Sequence, residues 1–492
     1  MIKNLTIKFE FSGGSSGLNG MMYVRGPDRD YNQWAALGNR DWDFESVLPY
    51  FKKSEDNTDQ SIVDYTNGRF HGTKGYLKVS NFNAKDPFID VLRSAYAQIG
   101  VKENRDVNSG EHVGFVKVQG TVYKGERVSA ARAFLLPIRD RKNLKVMKGS
   151  FVNKILFNGT SAIGVNVLTK NKQCENIKIY ARKEVIISAG SFNTPKILLQ
   201  SGIGRIADLR PFGIPQIKDL AVGDNFLDHP AVLLFMKMNG DGSLFDIFVD
   251  LWDYFFKRSG SFADLGSTTY HGFVNTLNNS AVYPDIHLEI FRASKGLGDF
   301  LKTSLEIGHY IENIIDELVE ANKDSDIVFI HIVALSSKGK GTVKLQSDDP
   351  WDDPKIMPHF YEIQDDVDKI LRGISKVREL IDTPALQVKK AELIRFDLPE
   401  CDSFPYASAA YDRCYLTYFG TSGRHPVGTC KMGPLNDTDA VVDEKLKVHG
   451  MKNLRVVDAS IIPINLNANT QATVYMIGEK ASDMIKEDWR SG

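Results

Sequence analysis

The stretch FGTSGRHPVGTCKMG (419–433) sets one histidine, His425, between two glycine turns and directly before Pro426. A lone histidine is usually structural. Fixed by proline and flanked by glycines, an imidazole can instead be held where a ligand's atoms approach the backbone. With an ordinary pKa near ~6.5 it can accept or donate a proton at neutral pH. The other nine histidines, among them His71, His229 and His449, have no comparable setting beyond turns. Asp458 ends the apolar run LRVV, a position where a carboxylate binds a ligand or caps the next turn. Asn467 and Asn469 follow in the loop before a closing helical pattern, and Asn469-Thr470 taken alone reads as a helix N-cap. GGSSGLNGMMYVRG (13–26) is a turn of consecutive backbone N–H groups with the Asn19 amide. An isolated turn of this kind is by default a surface loop. Its near-absence of charge from Gly13 to Val24 argues for a cover, and covered donors need acceptors.

The elements that must position these groups read as a mixed α/β chain. In RKEVIISAGSFNTPKILLQSGIG (182–204), EVIISAG predicts a strand buried on both faces of a parallel sheet. SFNT supplies cap chemistry, and KILLQSG is a short helix ended by glycine. Strand, polar turn and helix form half of a βαβ unit. Residues 21–60 predict amphipathic helices broken at Gly38, Asn39 and Pro49; 71–82 a strand; 86–101 a helix; and 129–157 a helix followed by two strands. Between about 230 and 336, alternating runs such as DIHLEIF and DIVFIHIVAL predict a second, antiparallel sheet with helices packed on it. GKGTVKLQS (339–347) predicts a strand, 365–381 an amphipathic helix, and the last segment another helix.

Composition narrows the function. The 492 residues carry 61 Lys+Arg against 62 Asp+Glu, so no polyanion-binding stripe is expected and nucleic acid is disfavoured as a partner. No apolar run reaches the ~20 residues of a membrane span, and the first residues lack a secretory pattern. Cys174, Cys401, Cys414 and Cys430 are too few for a disulfide scaffold. Cys401 and Cys414 are near enough to pair, but buried free thiols are the expected state. No cysteine–histidine grouping has zinc spacing, so no metal is expected. A G-x-G-x-x-G fingerprint is also missing. GIGRIA (202–207) follows a helix rather than a strand, and GKGTVK (339–344) precedes a strand, so a nicotinamide dehydrogenase lacks its sequence support.

Together, GGSSGLNGMMYVRG, GSFNTPKILLQSGIG (190–204), VGDNFLDHP (222–230), HPVGTCKMG (425–433) and NLRVVDASIIP (453–463) resemble the glucose–methanol–choline (GMC) family of flavin oxidoreductases, nearest its insect glucose dehydrogenase-like branch. The resemblance implies FAD as cofactor, a small-molecule alcohol as substrate and a separate electron acceptor. It implies an FAD-binding region over 1–220, a substrate-domain region with an antiparallel sheet over 221–336, and a C-terminal region with the catalytic residues over 337–485. It gives His425 the role of base beside the flavin while hydride passes to flavin N5. Asn469, eleven residues before Lys480, holds the alcohol oxygen. Asn19, Gly20, Met21 and Met22 correspond to the loop passing the flavin ring. Val152 corresponds to the backbone contact with adenine, and Asp458 with Ala459 to the pair at the phosphate–ribityl region. The family's opening strand–G-x-G-x-x-G–helix unit does not occur before Gly13. A chain shortened at its start, with poor FAD binding and little activity, is therefore expected, as is the alternative of a non-catalytic relative acting in binding or structure. An extracellular location is expected from the resemblance.

Overall fold

The computed structural model describes residues 13–490 except 84–85, 170–175, 241–246, 261, 264, 279 and 309; Cys174 lies outside the described residues. The chain is a mixed α/β protein with, among the described residues, two large hydrophobic cores and a smaller one around Met22, Val24 and Phe82. The larger core is organised by an eight-stranded sheet. Its main order is Glu392–Leu393, Pro230–Met238, Asp326–Ala334, Ile286–Ala293, Tyr270–Val274, Gly114–Lys117 and Glu103–Asn104, with Gly420–Ser422 also paired to Pro230–Met238. All pairs are antiparallel except the last, 103–104 with 114–117. This is the antiparallel sheet that the alternation between 230 and 336 predicts, widened by strands from both sides of that segment.

Alternation sorts its two faces. Val232, Leu234, Leu288, Ile290, Ile330 and Ile332 are buried in one core with the helices Phe88–Gln98, Gln364–Ile381 and Ala409–Phe419. The opposite face carries His271, His287, Glu289 and His331.

The second core joins the helices Asp28–Ala36, Phe44–Ser54, Gly190–Gln200 and Gln471–Arg490 to a three-stranded antiparallel sheet (Ser150–Asn158, Ser161–Thr169, Asn176–Tyr180) and to the parallel pair Val185–Ile187 and Leu454–Val456. Several expectations need correction here. Val185–Ile187 is not buried on both faces: Ile186 is 44% exposed, because this sheet has two strands among the described residues. Pro49 sits inside the helix Phe44–Ser54 instead of breaking it. Its missing N–H costs one helix bond, offset by burying Phe44, Val47, Leu48 and Phe51 on one face. Residues 129–149 form short helical turns and a loop, and the first strand of 129–157 begins only at Ser150. Cys401 and Cys414 form a disulfide, while Cys430 is the buried free thiol. Both bonded cysteines flank the start of the 409–419 helix, whose packing on the sheet brings them together.

Candidate active site

His425 is placed by a tight crossing. The backbone at Gly423 runs against the 230–238 and 326–334 strands. A Cβ there would lie 3.0 Å from His229 Cβ, 3.1 Å from Val333 Cγ1 and 3.4 Å from His425 Nδ1. Only glycine permits that approach. Asp228 then acts as a common anchor. Its Oδ1 accepts from the backbone N–H of His229 (2.7 Å) and of His425 (2.8 Å), and its Oδ2 accepts from Ser422 Oγ (2.5 Å). Burial pushes the Asp228 carboxyl up to about 6, against the pull of the Ser422 hydroxyl and the two backbone donors.

The two imidazoles meet edge to face, with Nδ1 of His229 3.1 Å from Nδ1 of His425. The remaining contacts fix which nitrogen carries each proton. His229 Nε2 lies 2.6 Å from the Leu466 carbonyl, which can only accept, so that nitrogen carries the hydrogen. His229 Nδ1 is therefore a lone pair, and His425 must donate to it from Nδ1–H. His425 Nε2 is left with a lone pair, which accepts from Asn469 Nδ2 at 3.0 Å. Burial lowers His425 to about 3, helped by the neighbouring His229, and lowers His229 to about 4. Both rings are neutral at pH 7.

Asn469 Nδ2 is engaged, but its Oδ1 is buried without a partner. Such an atom is costly unless a ligand N–H or O–H meets it. Asn469 lies two residues before the twenty-residue helix Gln471–Arg490, whose positive N-terminal end faces this region. The 13–22 loop reaches the same helix end. Asn19 Nδ2 donates to Gln471 Oε1, Asn19 Oδ1 accepts from Met21 N–H at 3.0 Å, and Gln471 Nε2 donates to the Met21 carbonyl at 3.2 Å. Gly20 is exposed, Met21 half-buried with a left-handed backbone (φ 65°), and Met22 buried. The loop is less covered than its lack of charge suggests, since only Ser16 is buried in the turn Gly14–Gly17 and Leu18 is 42% exposed.

The other sequence-selected residues separate from this centre. Asp458 caps two elements at once. Its Oδ1 accepts from Ser460 N–H (2.8 Å) and its Oδ2 from Gly190 N–H (2.8 Å) and Thr194 Oγ (2.6 Å), which fixes the start of the 190–200 helix. The Ala459 carbonyl accepts from Gly428 N–H at 3.1 Å, next to the HPVG turn. Val152 stands in the three-stranded sheet opposite Val167, away from the histidines. Asn467 is structural, since its amide and backbone N–H both donate to Asp30 at 2.6 Å. The residue that sequence reasoning passed over is His229. Its signal lay within VGDNFLDHP, but its partner is 196 positions away.

Family models of the GMC oxidoreductase match residues 7–231 with the N-terminal model and 337–478 with the C-terminal model. The chain is 33% identical over 479 residues to "Glucose dehydrogenase [FAD, quinone]" of Drosophila pseudoobscura pseudoobscura, covering 97% of this chain and 74% of that one. The chain belongs to the GMC oxidoreductase family. Another similar member is the ecdysone oxidase of Bombyx mori, 34% identical over 485 residues, covering 97% of this chain and 70% of that one. Among solved structures, a mutated formate oxidase of Aspergillus oryzae RIB40, studied for FAD modification, superposes with a TM-score of 0.83 at 26% identity, covering 97% of this chain and 84% of that one. GMC oxidoreductases are FAD-dependent, and the ring end of such a cofactor fits the residues present. The unpartnered Asn469 Oδ1, the positive end of the final helix and the Asn19–Met22 loop converge beside His425.

Proposed function

We propose that this GMC oxidoreductase oxidises the CH–OH group of a small alcohol, with His425 Nε2 as the base that takes the hydroxyl proton. FAD, when bound, supplies the hydride acceptor. The observation that carries the reading is the fixed tautomer: the Leu466 carbonyl holds His229, and His229 holds His425 with its Nε2 lone pair toward Asn469. Because burial keeps His425 neutral, that lone pair is available throughout the neutral range. A substrate hydroxyl replaces the Asn469 N–H at Nε2, and the released Asn469 amide donates to the alcohol oxygen. As Nε2 gains its proton, the Nδ1–H bond to His229 becomes charge-assisted and steadies the cation. Asp228 keeps both backbones still while this happens.

Asn19, Gly20, Met21 and Met22 would face the ring, Asp458 (through the 190–200 helix it fixes) and Ala459 the phosphate–ribityl region, and Val152 the adenine. An extracellular setting belongs to the same proposal, supported by the Cys401–Cys414 disulfide, which is favoured in an oxidising compartment.

The test is turnover of the full chain, first assayed for flavin content, on a panel including glucose, choline and an ecdysteroid with an artificial electron acceptor. His425→Ala should lower kcat by roughly 10²–10⁴-fold at unchanged flavin content. Equal turnover in the variant, or none in flavin-replete wild type on any alcohol, overturns the proposal.

A further inference from the structure

The sheet face that carries Val333 beneath Gly423 holds a second group of histidines. His271, Glu289 and His331 stand directly opposite one another on three adjacent strands, and His287 lies two positions before Glu289. Their hydrogen bonds can be followed in one direction. His271 Nε2 lies 2.9 Å from the Thr268 carbonyl and must donate to it, so His271 Nδ1 is a lone pair. His287 donates to that lone pair from Nε2–H at 2.7 Å. Neutral His287 therefore keeps a lone pair on Nδ1, and this atom is buried without a hydrogen-bond partner. Phe273 stacks on the ring at 4.3 Å and holds its plane.

What His287 Nδ1 faces is an anion. Glu289 Oε1 lies 3.8 Å away, while Oε2 accepts from His331 Nδ1–H at 2.9 Å. Two electron-pair donors thus face one another across a gap too long for a hydrogen bond and with no hydrogen between them. Among the described residues, the ion pairs of Glu289 are with His287 and His331 alone.

We propose that His287 Nδ1 and Glu289 Oε1 bind a divalent cation of the zinc class. Zinc–nitrogen and zinc–oxygen bonds of about 2.0–2.2 Å span such a gap with the ion between the two atoms. Imidazole with carboxylate is a donor set that zinc accepts. The outer shell is already in place: His287 gives its other N–H to His271, which is held by the Thr268 carbonyl, and the second Glu289 oxygen is held by His331. Both ligands come from one strand, Ile286–Ala293, while the outer-shell His271 and His331 come from its two neighbours. The site adjoins the candidate catalytic pair, since His287 stands opposite Val333, against which Gly423 packs.

The experiment is calorimetric titration of Zn2+ into the full chain at neutral pH, with melting temperature measured with and without Zn2+. Wild type should bind one Zn2+ per chain and melt higher with it. His287→Ala and Glu289→Gln should each weaken binding at least tenfold and lose the stabilisation. His271→Ala should weaken binding by about 10–100-fold as an outer-shell change. His359→Ala, which removes a surface histidine paired with Glu362 at 2.7 Å, should leave binding intact. No binding to wild type at millimolar Zn2+, or undiminished affinity in folded His287→Ala or Glu289→Gln, overturns the proposal. If either variant fails to fold, folded His271→Ala at wild-type affinity does so in its place.

Discussion

The molecule contains two histidine relays of the same construction that end in opposite ways. Each begins at a backbone carbonyl, Leu466 or Thr268, and runs through two imidazoles in series to a buried lone pair. The first ends at His425 Nε2, met by the neutral Asn469 amide. The second ends at His287 Nδ1, opposite the Glu289 carboxylate. A carbonyl at one end sets the tautomer in both cases, and the group at the other end decides the chemistry. A lone pair facing a neutral, replaceable donor can take a substrate proton. One facing an anion asks for a cation. His71 supplies a third case, with Glu55 at one ring nitrogen and Asp106 at the other, each at 2.9 Å. There burial opposes the charge, but the two carboxylates outweigh it and raise the pKa.

The comparison breaks most visibly at the middle of the first relay. His229→Asn frees the His425 tautomer and should lower kcat by roughly 10–10³-fold, with a smaller effect on KM, as expected when a positioning group for a base is lost. A fall in KM affinity alone would show that His229 serves binding rather than the base. Next is the shared anchor. Asp228→Ala leaves two backbone N–H groups and the Ser422 hydroxyl without their acceptor, and should cost about 3 kcal/mol in denaturant unfolding. Asn469→Ala removes the replaceable donor and should lower kcat/KM by about tenfold, leaving the melting temperature within a few degrees of wild type.

A further effect is in pH dependence, where the contributions partly oppose one another. His229 and His425 titrate lower in the folded chain (about 4 and about 3) than unfolded, so between these values and ~6.5 the unfolded chain binds more protons. Their contribution is fully present above ~6.5 and is lost as pH falls, by up to about 1.4 kcal/mol per pH unit for each ring. Asp228, raised to about 6, acts in the opposite sense in the same window. The measurement is therefore a difference: His425→Gln should lose less stability than wild type between pH 6.5 and 4.

Much of this was legible in the residues. The glycine-flanked His425, the strand-ending Asp458 and the alternation of DIHLEIF each point to the local structure found. What single segments could not show is pairing between distant ones. His229 looks like an ordinary turn histidine until Gly423 brings its neighbour against it. Asn469 looks like an N-cap because its contact to His425 spans 44 positions. The disulfide was misjudged for the same reason, since the 409–419 helix must dock before the two cysteines meet. Pro49 shows packing overriding a local breaker, and Ile186 shows a parallel-type run with one strand neighbour among the described residues.

The contacts at the helix end beside His425 link Asn19 to Gln471 across 452 positions and Asp30 to Asn467 across 437. Loops of that length close late in folding. The centre therefore cannot exist before Asn467 and Gln471 have been synthesised, nor in a chain that has formed only its larger sheet. During refolding from denaturant, recovery of turnover should lag behind recovery of secondary structure, making activity a clock for the last closure of the fold.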